Sequence, residues 1–253
     1  MPGEAKVRAC AWRKEMIAIR KGNEPDGLAQ LREKARERGL SPAKAYALLK
    51  NPLKQEVRDK LVEEQGQLCA YCMCKIPRSD VDPVITPVII EHVISRNTAD
   101  GRDAGQGLDY NNFVAVCHGN KASRGTRTIL DLTCDAHKGN DEFRKINPCI
   151  PETLNSIIYT LDGRIDATDP DVKIDLLHTL NLNCPSSPLV AERKSALDSL
   201  IESLSDIPDK DQGAFCSTVL DELNAETNPK TPYAGILIWY LKSLIPEMNG
   251  QSS

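Results

Sequence analysis

The stretch EEQGQLCAYCMCK, residues 63–75, sets Cys69 and Cys72 three positions apart at the end of a helical run. Upstream, Leu53, Val57 and Leu61 recur at helical spacing, and Gly66 offers a stop. The helix therefore delivers the chain straight into a CxxC turn. Such a turn can put two thiolates on one face of a metal ion, although redox motifs share the pattern. The surroundings lean toward metal. Nine cysteines are many for a reducing compartment, where a disulfide framework is disfavoured. Five of them, Cys69, Cys72, Cys74, Cys117 and Cys134, fall close together in sequence, and Cys10, Cys149, Cys184 and Cys216 are scattered. Cys117 and Cys134 each follow an apolar segment that a fold could return to the knuckle. A tetrahedral Cys69–Cys72–Cys117–Cys134 zinc site follows, structural and closed. Cys74 competes for a place, and His118 is a weaker fourth ligand.

Outward from the knuckle, the chain is predicted to alternate loop and short strand. TPVIIEHVI (86–94) and NNFVAVC (111–117) are β-branched and apolar, whereas NTADGRDAGQGLD (97–109) is rich in turn formers. HGNKASRGTRTILDLT (118–133) reads as an inserted loop, and CDAHKGNDEF (134–143) opens a helix. Towards the N-terminus, 26–39 and 41–50 read as helices, the second with Ser41 and Pro42 as its start signal. After Pro151 the expectation is mostly helical, with helices over 169–181, 188–205, 210–225 and 233–245.

Charge divides along the same lines. Residues 1–60 hold 15 basic against 8 acidic side chains, and residues 149–253 hold 7 against 16. A basic head suits a polyanion, and an acidic tail does not. The expected organisation is a basic helical segment (1–60), a zinc-knuckle domain (61–150) and an acidic helical region (151–253). No run of eighteen apolar residues predicts a membrane span, and MPGEAKVRAC lacks the apolar core of a signal peptide. The expectation is a cytoplasmic protein without a membrane partner.

Between the two cysteine pairs lie IIEHVI and LDYNNFVAVC, and CDAHKGN closes the set. A histidine at a strand end, an asparagine about twenty residues on and a polar ligand at a helix start form the HNH arrangement. Counting back four residues from Cys117 makes Asn112 the middle residue. Cys134-Asp135-Ala136-His137-Lys138 aligns with Cys-His-x-x-Lys, so Asp135 takes the last ligand position. A carboxylate suits Mg²⁺ better than a neutral imidazole does. The combination of IRKGNEP (19–25), EEQGQLCAYC (63–72), IEH (90–92), LDYNNFVAVCHGN (108–120), CDAHKGN (134–140) and NP (147–148) resembles the HNH nuclease component of Septu-type antiphage defence over residues 17–150. Ser95 stands where a proline commonly follows in that family.

The resemblance implies an α+β, mostly helical chain with a small ββα-metal (HNH) core and a four-cysteine zinc knuckle. It implies Mg²⁺-dependent phosphodiester hydrolysis, with Mn²⁺ a substitute and DNA favoured over RNA. His92 would be the general base, Asp135 the metal ligand with Glu91 sharing it, and Asn112 the tie that orients His92. His137 is a further ligand or phosphate contact, and Lys121, Arg124, Arg127 and Lys138 are candidates for phosphate. Arg20 and Lys21 are candidates for phosphate or partner contact. The family works with an ABC-type ATPase and accompanies some retrons, which adds a reverse transcriptase and its DNA to the expected partners. Transfer-RNA cleavage and a catalytically idle zinc-knuckle module are the rival readings.

Overall fold

The computed structural model describes residues 18–77, 88–97, 101–121 and 128–249, with side chains up to 245. Chain order within these residues begins with α1 (Asp26–Glu37), the short α2 (Pro42–Ala45) with a 3₁₀ turn over Tyr46–Leu48, and α3 (Leu53–Glu64). Strands β1 (Ile89–His92) and β2 (Phe113–Val116) follow, then the one-turn helix α4 (Cys134–Lys138). The rest is β3 (Ile157–Tyr159), β4 (Ile165–Ala167), α5 (Pro170–Ile174), α6 (Leu189–Ser205), α7 (Asp209–Ala225) and α8 (Ala234–Asn249). The class is α+β, about half helical, with two small antiparallel sheets.

The β1–β2 ribbon is the organising element. Its register pairs Ile89 with Val116 and His92 with Phe113, and all four residues of β2 are buried. An alternating strand has one wet face; this one is covered on both. Helix α3 packs against β2, and Gln65, just past its end, completes the join. The Gln65 amide donates to the Ala115 carbonyl at 2.8 Å and accepts from the Ala115 N–H at 2.7 Å. One side chain thus mimics a neighbouring strand for β2. The same Nε2 donates to the Leu68 carbonyl at 2.8 Å, which ties in the knuckle.

One contiguous core runs through the segments on both sides of residues 60 and 150, from Ile19 and Leu28 through Phe113 and Val116 to Leu176, Leu197 and Ile238. Polar clamps reinforce it. The buried Asp175 carboxylate accepts from the backbone N–H groups of Arg144, Lys145 and Ile146 at 2.8–2.9 Å. Gly66, at φ +63°, lies so close to the stretch before α8 that a Cβ would sit 2.6 Å from the Thr227 carbonyl oxygen. Its own carbonyl accepts from the Lys230 N–H.

The C-terminal helices agree with their sequence signals to within a few residues, except that 169–181 is α5 followed by a π-helical turn over Asp175–Thr179. One expectation fails, and one element was not foreseen. The 41–50 helix is broken into one turn and a 3₁₀ turn. The region before the named C-terminal helices, for which no element was expected, holds a hairpin over residues 157–167. Its signal was Asp162-Gly163 between Ile157-Ile158-Tyr159 and Ile165-Asp166-Ala167, a turn pair between β-branched residues. The apolar run 235–241 is part of α8, with Ile236, Ile238 and Leu241 buried against the rest of the chain. No helix among the described residues is long and apolar enough to cross a membrane.

Candidate functional site

Cys69, Cys72, Cys117 and Cys134 bring their sulfurs within 4.8 Å of one another. Cys72 and Cys117 are 3.8 Å apart, and Cys117 and Cys134 are 3.7 Å apart. Bonds of ~2.3 Å to a tetrahedral zinc ion set sulfur–sulfur edges of about 3.8 Å, so the donor set fits. Local backbone explains the convergence. A tight knuckle is closed by Cys69 N–H to Cys74 carbonyl and Met73 N–H to Cys69 carbonyl bonds, with Met73 in the left-handed region. β2 hands Cys117 to the site, and the Cys117 N–H donates to the Cys69 sulfur. Cys134 enters at φ +53°, its N–H donating to the Leu180 carbonyl. Without an ion the thiols divide their protons unequally. Hydrogen bonding to Cys134 brings Cys117 down to about 5, and the same contact pushes Cys134 well above the ordinary thiol range. Cys74 lies at the rim, its thiol pushed up by its bond to Cys117. His118 contributes no atom to the cluster.

A second buried polar group lies at the end of β1. Glu91 and His92 are both buried. The His92 ring meets Tyr46 and Phe113 edge-on, with centroids 4.7 and 4.9 Å away. Its Nε2 is 3.1 Å from the Gly107 carbonyl oxygen. A carbonyl only accepts, so Nε2 carries the proton, and in a neutral ring Nδ1 is the basic nitrogen. Burial keeps the ring neutral by lowering its pKa to about 4. Gly107 has to be glycine here: a Cβ would lie 2.0 Å from the Pro42 carbonyl oxygen. Asn112 fixes the chain leaving β1. Its amide donates to the Ile94 carbonyl at 2.9 Å and accepts from the Ile94 N–H at 2.8 Å. Ser95 ends the bend, its hydroxyl donating to the Asn140 carbonyl.

Helix α4 decides which of its polar residues face this group. Positions 135 and 138 are three apart and share a face; 137 lies on the far side. The Asp135 carboxyl lies beside that of Glu91. Burial pushes Glu91 up to about 7; Lys138 opposes that rise and Asp135 adds to it. His137 turns away, with Nδ1 3.0 Å from the Thr179 carbonyl oxygen. Nδ1 is therefore the donor, and this ring joins α4 to the C-terminal region.

Neither a protein-family model nor a curated protein matches this chain.

Lys138 requires a correction. As a surface contact for phosphate it would need an exposed ammonium, yet its side chain is 0% exposed. Nζ pairs with Glu91 at 2.8 Å and stands over the Phe143 ring at 5.3 Å. A buried carboxylate needs a counter-charge, and Lys138 supplies it. Lys21 is internal as well, donating to the Phe113 carbonyl at 3.1 Å and pairing with Glu64 at 3.2 Å. Arg20 and Lys121 are exposed, and Arg124 and Arg127 lie outside the described residues. Gln65, Gly107, Tyr46 and Thr179 are positioning residues that no spacing rule singles out. Only the glycine carried a signal, as one of three in a turn-rich loop.

Proposed function

We propose that this chain is an HNH-type endonuclease hydrolysing phosphodiester bonds of nucleic acid, with DNA the favoured polymer. The carrying observation is a neutral imidazole at His92, protonated on Nε2 by its bond to Gly107, in the same buried group as the Glu91–Asp135 carboxyl pair. In this reading the β1–β2 ribbon, α4 and the four sulfurs would make up the ββα frame that holds that group.

His92 removes a proton from water at Nδ1, the nitrogen left basic by the Gly107 bond. Water attacks phosphorus, the P–O bond to the leaving nucleotide breaks, and the departing oxygen takes a proton from solvent. Asn112 and Ser95 hold the backbone on the far side of His92, so the ring keeps its aim. Asp135, with Glu91 beside it, would hold Mg²⁺ or Mn²⁺. Two carboxyl oxygens are a hard donor set, and a cation there would offset the charge of the transition state. Lys138 limits the negative charge that gathers before a cation arrives. The four cysteines would hold Zn²⁺, which supports structure and takes no part in the reaction.

In this reading the protein serves antiphage defence, kept in check by an ABC-type ATPase and, in some systems, joined by a retron reverse transcriptase with its DNA. The support is the resemblance over residues 17–150. A second reading, a zinc-knuckle binding module without catalysis, draws on the burial of His92 and on the internal Glu91–Lys138 pair.

A cleavage assay with Mg²⁺ and the ATPase, on DNA and RNA side by side, tests the proposal. His92→Ala is expected to lose about 10²–10⁴-fold in rate, with zinc content unchanged. Asp135→Ala is expected to lose far more than His137→Ala. Near-wild-type cutting by His92→Ala removes the imidazole from the mechanism. Nucleic-acid binding without any cutting by wild type establishes the second reading.

A further inference from the structure

The ring that meets His92 edge-on also gathers cations. Arg96, just past β1, places its guanidinium 4.8 Å from the Tyr46 centroid, and the Lys54 ammonium stands 5.5 Å from the same centroid. Lys54 and Arg58 are four apart on α3, on one face, and Lys50 precedes them by another four. Like charges at that spacing repel, and Lys54 is held below the ordinary lysine range by burial first and then by Arg58, Lys50 and Arg96. None of these four cations forms an ion pair among the described residues. Of the nearby acids, Glu91 holds Lys138, Asp135 lies beside Glu91, Asp59 accepts from Gln55, and Glu56 is exposed. Arg58 spends one Nη on Gln55, and its buried Nε has no partner among the described residues.

We propose that Lys50, Lys54, Arg58 and Arg96 form the substrate's phosphate-binding rim, a site for the backbone of a polynucleotide beside His92. The inference rests on the nuclease reading and names the surface that would seat its substrate. Tyr46 links the two: its centroid is 4.7 Å from His92. Lys54 and Arg96 therefore stand within about 10 Å of the imidazole, two or three nucleotides of axial rise at ~3.4 Å each. Crowded like charges without ion-pair partners cost stability until polyanion phosphates offset them. Cation–aromatic contacts hold both side chains in place, so less freedom is lost on binding. The same surface explains what the basic head is for: the helix that delivers the knuckle also carries the rim.

The test is equilibrium binding by the full chain in a His92→Gln background, so that nothing is cut, with zinc content checked in every variant. Probes are fluorescent duplex DNA, single-stranded DNA and duplex RNA over a salt series. Lys54→Gln/Arg96→Gln is expected to weaken binding at least about tenfold and to lower the log–log salt slope by about 2 on duplex DNA. A charge-matched control, Lys173→Gln/Lys194→Gln, should stay within about twofold, because both lysines already hold carboxylates. An unchanged slope and affinity on all three polymers overturns the rim, and so does a parent chain that binds none of them. The two readings separate cleanly. Weakened binding in a chain that never cuts keeps the rim and sinks the nuclease; wild-type cutting with unaltered binding by the double variant does the reverse.

Discussion

Two buried polar centres lie at the ends of the same short elements, and they are neutralised in opposite ways. Cys134 and Asp135 are neighbours on α4; the first joins four sulfurs and the second joins Glu91. The sulfur centre has only donors. Among the described residues no cation pairs with the four sulfurs, so the centre holds together by proton sharing or by an added ion. The carboxyl centre carries its counter-charge inside the fold, with Lys138 fully buried against Glu91. The difference lies in the counter-charge: the carboxyl pair has Lys138 inside the fold, and the sulfur cluster is a donor set that fits a zinc ion.

The strongest way to break the comparison is to remove the ion or one of its ligands. Purified chain is expected to contain one zinc per molecule, and Cys134→Ser or a strong chelator should cost more than about 4 kcal/mol in urea denaturation. A chelated chain with an unchanged midpoint would make the sulfur cluster an ordinary thiol core. The next test strikes the internal pair. Lys138→Met should cost about 3–5 kcal/mol by leaving Glu91 buried and alone, and Lys138→Met with Glu91→Leu should restore most of it. Equal losses in the single and double variants would mean that the pair is not what balances the carboxyl centre.

A pH series sharpens the picture further. His92 falls from 6.5 to about 4 on folding, so the unfolded chain binds its proton first as pH drops. The associated stability is present above pH 6.5 and is lost as pH falls towards 4, by about 3 kcal/mol at most. Glu91, raised from 4.5 to about 7, has the opposite sign and loses stability as pH rises through that window. The difference between wild type and His92→Gln therefore isolates the imidazole. A difference that does not vary between pH 4 and 6.5 would place His92 in contact with water in the folded chain.

The parts of the site read directly from sequence are those where chemistry leaves little choice of residue. Sulfur ligands must be cysteine, and the four singled out are the four that converge. Asn112 was found by its distance from Cys117, and its side chain spans the bend at Ile94. Lys138 misled because a lysine beside a nuclease-like motif reads as a phosphate contact. Its burial is set by Glu91, 47 positions earlier. The 157–167 hairpin was overlooked for a related reason: each strand has only three residues, too few to establish a period of two against the surrounding helical pattern.

By itself the sequence determined the donor atoms, the knuckle turn, the α+β class and the order of most elements, because ligand chemistry and periodicity act over a few residues. Tertiary structure alone decided that Asp135 meets Glu91, that His137 serves Thr179, that Lys138 lies inside, and that α3 and the turn after β1 bring their cations to one aromatic ring. Those outcomes depend on which face of a five-residue helix and a four-residue strand is covered. The covering groups come from segments tens of residues away, so no local pattern encodes them.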